Sequence, residues 1–238
     1  MGGTNPVDLS LDNQLSYSLR RQHVDEFLAR QLGSLSDGCR LLDLGGVKQG
    51  QRGYGQRVSG RLQVTVANLV SDKGLDLKAD AARLPLAAGS YEAVLCSEVL
   101  EHVNNPEPVL QEMVRVLQPG GIALITVPFM FRQHADPADY GRYTEWFWAE
   151  NLQRMGFSEY AIEKQGLFGS LLADMLRHWW QQGVIEGRGP LPRVQRWLLP
   201  RLMASTRRRA LRFDANQRTH PVWSSYVGGF GIVTRKPR

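Results

Sequence analysis

Two clusters of side chains have the types and spacing to position a substrate and move a proton. The first is Ser97, Glu98, Glu101 and His102, within SEVLEHV. The second is the stretch Phe129 to Thr144, FMFRQHADPADYGRYT, which gathers His134, Asp136, Asp139, Tyr140, Arg142 and Tyr143. Histidine is the natural proton acceptor near neutral pH, so His134 and His102 are the candidate bases. Asp136, Tyr140 and Arg142 are candidates for holding or activating a substrate. Each cluster also has a plainer reading. Acids are favoured in a first helical turn, and His102 can simply hydrogen-bond to Glu98 or Glu101. Arg142 can pair with Asp136 or Asp139 as loop scaffolding.

For these groups to do chemistry, strand ends must bring them to one place. Tyr91–Cys96 (YEAVLC) is short and apolar, as a strand buried on both faces should be. Asn105 is a good N-cap, and Pro106 fits the first helical position, where its missing N–H costs nothing. Val109, Leu110, Met113, Val114 and Leu117 follow at helical spacing. Pro119-Gly120-Gly121 is expected to stop that helix, and Ile122–Val127 to form a second buried strand. A right-handed crossover between the two strands opens Ser97-Glu98 into the crevice above the sheet, where such sheets bind ligands. The Phe129–Thr144 loop leaves the second strand over the same crevice.

Other elements follow from pattern. A helix is expected over Ser16–Leu32, with Val24, Phe27, Leu28 and Leu32 on one face. Strands are expected at Arg40–Leu44, near Leu62–Ala67 and near Leu75–Ala79. A helix near Thr144–Met155 should end at Gly156, before a strand over Phe157–Glu163. The last strand falls within Tyr226–Pro237. The intervening stretch, Lys164–Trp223, is too long for a structureless loop. It reads as an insertion with one helix over Leu167–Gln182 and another within Leu191–Phe213, broken near Pro200.

SEVLEHV, then NPEPVLQEMVRVLQPGG and a strand, closely resembles class I S-adenosylmethionine-dependent methyltransferases of the type 11-like branch, which includes small-molecule and glycan enzymes. The resemblance covers roughly Leu41–Phe157 and the closing strand. It implies an α/β, Rossmann-like fold: a mostly parallel seven-stranded sheet with helices on both faces, here with a helical insertion before the last strand. On this reading residues 1–238 form one methyltransferase domain. Its core is 16–163, its closing strand 224–236 and its basic insertion 164–223. The implied cofactor is S-adenosylmethionine.

The resemblance also suggests roles. Arg40-LLDLGG-Val47 is similar to the family's first motif, which places Asp43 near the sulfonium and amino-acid end of the cofactor, with Gly45 and Gly46 admitting its close approach. Asn68 falls where the family puts an acid on the ribose hydroxyls. Asp80-Ala81 resembles the acid–small pair beside the adenine, and Ser97-Glu98 the strand end flanking the cofactor. A similar His…Asp-x-x-Asp-Tyr…Arg-Tyr-Thr loop occurs in such methyltransferases and implies a lid or acceptor-facing role. Some relatives hold a Glu-x-x-Glu-His run near a divalent metal, but this sequence shows no other clear ligand set, so no metal is expected.

Two departures stand out. Val47 occupies the motif's second glycine position and tolerates positive φ poorly, so the turn must differ in shape. Gly50, Gly53 and Gly55 suggest a longer loop there. Asn68 accepts a hydrogen bond without the strength of a charged acceptor. A dinucleotide site would need G-x-G-x-x-G, and residues 45–50 read GGVKQG.

At 238 residues the chain suits one decorated α/β domain. Its net charge of +6 is uneven: residues 188–218 hold nine arginines and one acid, Asp214, so the remainder is slightly acidic. Trp179, Trp180, Trp197 and several leucines accompany these arginines. Both insertion helices can pack inward with the arginines solvated. They can also lie on an anionic membrane surface. Nucleic-acid binding is a weaker third reading, given the apolar bulk. No apolar run is long enough to span a bilayer, and MGGTNPVDLSLDNQ lacks signal-peptide features. Cys39 and Cys96 read as reduced core residues. The expectation is a cytoplasmic enzyme, with peripheral contact at the inner membrane face through 167–213. It would methylate a small-molecule, sugar or lipid-linked acceptor at oxygen. The alternative is a weak or inactive methyltransferase-like protein whose basic insertion binds membrane or nucleic acid.

Overall fold

The computed structural model describes residues 17–48, 60–70, 74–134, 137–185 and 193–238, with the backbone alone at 180, 182–185 and 193–200. Seven strands form one sheet: β1 (Arg40–Leu44), β2 (Gln63–Asn68), β3 (Leu77–Lys78), β4 (Tyr91–Ser97), β5 (Leu117–Pro128), β6 (Glu159–Gln165) and β7 (Gly229–Arg235). Their order is β3-β2-β1-β4-β5-β7-β6. β1, β2, β3, β4 and β5 pair in parallel, and β7 runs antiparallel to β5. The strand order reverses at β1/β4, the switch point where an open α/β sheet leaves a crevice. Register aligns the strand ends there: Leu44 lies beside Cys96, and Ser97 beside Thr126.

The core follows from the apolar runs. Leu41, Leu42, Ala93 to Cys96 and Ala123 to Ile125 are fully buried, as parallel strands covered on both faces must be. Helix α1 (Leu19–Gly33) buries Val24, Phe27, Leu28 and Leu32. Helix α2 (Glu107–Val116) buries Val109, Leu110, Met113 and Val116. Asn105 serves its start, since the side-chain oxygen accepts the Glu107 N–H at 3.0 Å, although Pro106 holds the cap position itself.

Three expectations need correction. Helix α2 stops at Val116, where Leu117 turns extended (ψ 137°), and Pro119-Gly120-Gly121 lies inside β5. Pairing jumps from Tyr91–Leu117 to Ala93–Ile122, so this tripeptide forms an irregularity, with Gly120 at φ +77°. Next, β6 begins two residues later than read from Phe157, after Gly156 turns the chain at φ +96°. Third, the second insertion helix does not break at Pro200. A proline removes one ladder bond and can bend a helix without ending it, and here the helix continues to Asn216.

Packing divides the chain into two compact units: residues 26–164 with 229–238, and residues 1–25 with 165–228. The first holds most of the sheet, and helix α3 (Glu145–Arg154), which buries Trp148 and Leu152. The second holds helices α4 (Phe168–Ile185) and α5 (Arg193–Asn216). Two acids tie it together. The Asp214 carboxylate accepts the N–H groups of Leu167 (3.0 Å), Gly169 (2.7 Å) and Ser170 (2.9 Å), capping α4 from α5. Asp174 accepts the N–H groups of Leu19 and Arg20, both at 2.8 Å, capping the start of α1. Leu19, Ala173, Ala210 and Leu211 pack between these helices.

Candidate active site

The site lies in the larger unit, at the C-terminal ends of β1, β4 and β5. Asp43, buried near the end of β1, turns its carboxylate toward Gly46, where any Cβ would overlap it. Gly45 takes the left-handed step (φ +74°), and its N–H donates to Ala67 O at 2.7 Å. A Cβ on Gly45 would strike Val99. Both glycines are therefore demanded by sterics. Val47 is accommodated because it does not take positive φ; among the described residues, Glu98 is the one non-glycine that does. Gly50, Gly53 and Gly55 lie outside the described residues.

Asn68 holds this turn. Its amide donates to Gly45 O (2.9 Å) and Gly46 O (3.0 Å), and its side-chain oxygen accepts the Val70 N–H (2.9 Å). An acid here would set a carboxylate against two carbonyls and could donate to neither. The two departures from the family motif are thus one arrangement, in which Asn68 secures a turn that lacks the second glycine. Nearby, Lys48 pairs with Asp76. Asp80-Ala81 opens a turn, with Asp80 accepting the Ala82 N–H on its side chain and the Arg83 N–H on its carbonyl, each at 2.9 Å.

At the end of β4 runs a hydrogen-bonded chain that the sequence reading missed. Thr126 Oγ1 donates to Glu98 Oε1 at 3.0 Å, so the Ser97 hydroxyl donates to Thr126 at 2.8 Å. Thr126 is fully buried. Its one polar side chain near the C-terminal end of an otherwise apolar strand was the available signal. Glu98 sits at φ +57°, held by its N–H on Thr126 O at 2.9 Å. Such a backbone costs on the order of 1–3 kcal/mol and persists where the surroundings over-determine it.

The 3-10 turn Leu100–His102 then presents two further groups. Glu101 is 1% exposed, and its carbonyl accepts the N–H groups of Tyr140 (2.8 Å) and Gly141 (3.4 Å), hanging the post-β5 loop on this turn. His102 Nδ1 donates to Ala138 O at 2.6 Å, which leaves Nε2 as the open nitrogen, 3.7 Å from Glu101 Oε1. The His134 ring stands edge-on to His102, centroids 4.9 Å apart. One donor atom from each of Glu101, His102 and His134 lies within 4.8 Å of the others. Two imidazoles and a carboxylate can share a proton or hold a divalent cation. The sequence showed no clear ligand set because His134 arrives from a loop far along the chain.

Electrostatics separate the roles in that loop. Burial pushes the His134 imidazole below its ordinary pKa; the nearby Arg132 carbonyl opposes this, and His102 adds to it. His134 is therefore neutral at neutral pH and able to accept a proton. Arg142 grips Asp139 through two N–H groups, at 2.5 and 2.7 Å, and the His134 N–H adds a third bond at 2.9 Å. These contacts hold the Asp139 carboxyl well below the usual carboxylate range. Arg142 also donates to Gly141 O at 2.8 Å, so it frames the loop. Tyr140 is exposed, Tyr143 stacks on Phe147 with centroids 4.3 Å apart, and Asp136 lies outside the described residues.

Comparison with known proteins bears on what this crevice serves. A family model described as "Methyltransferase domain" matches residues 49–125. An uncharacterised methyltransferase of Mycolicibacterium gilvum (strain PYR-GCK) is 31% identical over 101 residues, 42% of this chain and 33% of that protein. The thiol S-methyltransferase TMT1B of Homo sapiens is 36% identical over 94 residues, 34% of this chain and 38% of that protein. The matches span about a third to just under half of the length of the first curated relatives. Among solved structures, phosphoethanolamine N-methyltransferase 2 of Haemonchus contortus, in complex with S-adenosyl-L-methionine, is similar with a TM-score of 0.57 and 15% identity. That likeness covers 98% of this chain and 59% of that one, and at such identity it speaks to the fold.

Proposed function

We propose, from the methyltransferase-domain match over residues 49–125 and the Rossmann-like sheet, that the chain is a class I S-adenosylmethionine-dependent methyltransferase and transfers the methyl group of that cofactor to an oxygen of a small-molecule, sugar or lipid-linked acceptor. When bound, the cofactor supplies an activated methyl group on a sulfonium centre. The residues at the switch point fit it. Asp43 is an anchor for the cationic amino-acid end, and Gly45 and Gly46 leave room for close approach. Asp80-Ala81 and Ser97-Glu98 flank the crevice, and Asn68 keeps the turn in shape.

The protein's remaining tasks are alignment and proton removal. A displacement at carbon gains most from holding nucleophile and leaving group in line. A hydroxyl acceptor must also lose its proton. The observation that carries the oxygen assignment is the neutral His134 beside His102, framed by Asp139 and Arg142. A thiol, with a pKa of about 8.5, depends less on such a base. His134 takes the proton, His102 is oriented by Ala138 O, and Tyr140 contacts the acceptor.

The second reading, a methyltransferase-like protein that binds without turnover, is kept by the variant turn at Gly45–Val47. Calorimetry with S-adenosylmethionine, followed by transfer of labelled methyl groups to fractionated acceptor extracts, separates the two. Binding with transfer to a hydroxyl supports the proposal. Absence of binding at millimolar cofactor overturns the enzyme reading, and label on sulfur or nitrogen overturns the oxygen assignment.

A further inference from the structure

We propose that the exposed face of the α4–α5 hairpin docks on an anionic lipid bilayer. Along α4, Leu172, Met175, Leu176 and Trp179 recur at i, i+3, i+4 and i+7, the spacing of one helix face. They are 46%, 56%, 48% and 76% exposed. The opposite side of α4 is already satisfied, because Ser170 and Ala173 are buried and Ala173 packs with Ala210 and Leu211. The apolar face is therefore not needed to hold the hairpin together.

Charge identifies the occupant. Gly169 approaches Ala210 and Asp214, so the two helices run antiparallel. Ala173 packs with Ala210 and Leu211, so Arg208, Arg209 and Arg212 flank the part of α5 that α4 packs against, and Leu202, itself 60% exposed, lies about two turns earlier in α5. Arg208, Arg209 and Arg212 are exposed. Among the described residues of this unit, Asp214 and Asp174 are engaged as helix caps through backbone N–H groups. An apolar strip beside arginines matches the two layers of a membrane interface. Trp, Leu and Met enter the acyl boundary while guanidinium groups meet lipid phosphates. No described helix is long and apolar enough to cross a membrane, so the contact is interfacial. Self-association through this face would bring arginines together. A nucleic-acid duplex would satisfy the arginines and leave the apolar strip in water.

The test is flotation of the full chain with phosphatidylcholine vesicles, with and without phosphatidylglycerol. It needs no cofactor or acceptor, so it stands apart from the methyl-transfer reading. Binding is expected to the anionic vesicles and to weaken with salt. The triple variant Arg208→Gln/Arg209→Gln/Arg212→Gln should lower it on the order of 100-fold. The Met175→Ser/Trp179→Ser variant should lower it at least about 10-fold. All five positions are exposed or peripheral to packing, and an unchanged melting temperature confirms intact variants. Equal binding to neutral and anionic vesicles, no vesicle binding, or a face that instead mediates dimerisation or RNA capture would overturn the proposal.

Discussion

Asn68 shows how one side chain can reverse the sense of a motif. Its amide donates to the Gly45 and Gly46 carbonyls, so it acts on the turn itself. Asn68→Asp should therefore weaken cofactor binding and destabilise the fold by about 1–3 kcal/mol for two lost hydrogen bonds, read as a lower melting temperature. Tighter cofactor binding by Asn68→Asp in calorimetry would instead assign position 68 to the ribose. His134 gives a pH prediction. Burial holds its imidazole below the ordinary pKa, and in the proposed reaction its neutral form accepts the proton. Turnover should be level above about pH 6.5 and fall as the ring protonates at lower pH. His134→Ala should abolish most turnover and that acid limb while leaving cofactor affinity intact; a retained limb would move the base elsewhere. The close spacing of Asp43, Gly45 and Gly46 at a strand end was legible in sequence. The meeting of Glu101, His102 and His134 was not, because it depends on a loop returning to hang from Glu101 O. The donor role of Asn68 was hidden too, since carbonyl directions are not written in a pattern.

Among the elements, strands were easiest to read. β1 and β4 are short, mostly apolar runs, and their observed bounds differ from expectation by one residue at most. Interruptions were harder. Pro119-Gly120-Gly121 and Pro200 carry strong local signals, yet pairing with β4 absorbs the first and the α5 ladder absorbs the second. Capping across helices was also invisible, because Asp214 lies far along the chain from the N–H groups it accepts. Those bonds predict a large local effect. Asp214→Ala should leave three N–H groups at the α4 start without their acceptor and cost roughly 2–4 kcal/mol. Chemical denaturation and protease nicking near Leu167–Ser170 would show it. A neutral outcome in both would mean that water replaces the carboxylate.

Across the whole molecule, basicity and chemistry occupy different stretches of chain. Residues 188–218 carry the positive excess and the remainder is slightly acidic. Raising salt should weaken vesicle association steeply while cofactor affinity measured by calorimetry stays nearly constant; a parallel fall in both would show that the arginines serve the crevice instead. A mostly parallel seven-stranded sheet and two helices before its last strand were legible in sequence, whereas the strand order 3-2-1-4-5-7-6 is seen only in the structure. The geometry at the root of that helical segment has a consequence of its own. Gly228 N–H donates to Gly166 O at 2.8 Å, so the chain leaves β6 and re-enters β7 across a single hydrogen bond. A gap that narrow can be closed by a tight turn or, at a cost that grows only slowly with length, by a long detour. Descendants of this fold could lengthen, trim or exchange the segment between those two glycines without moving a strand out of register, which makes the junction a point where new surfaces can be acquired while the strand ends that line the crevice are inherited unchanged.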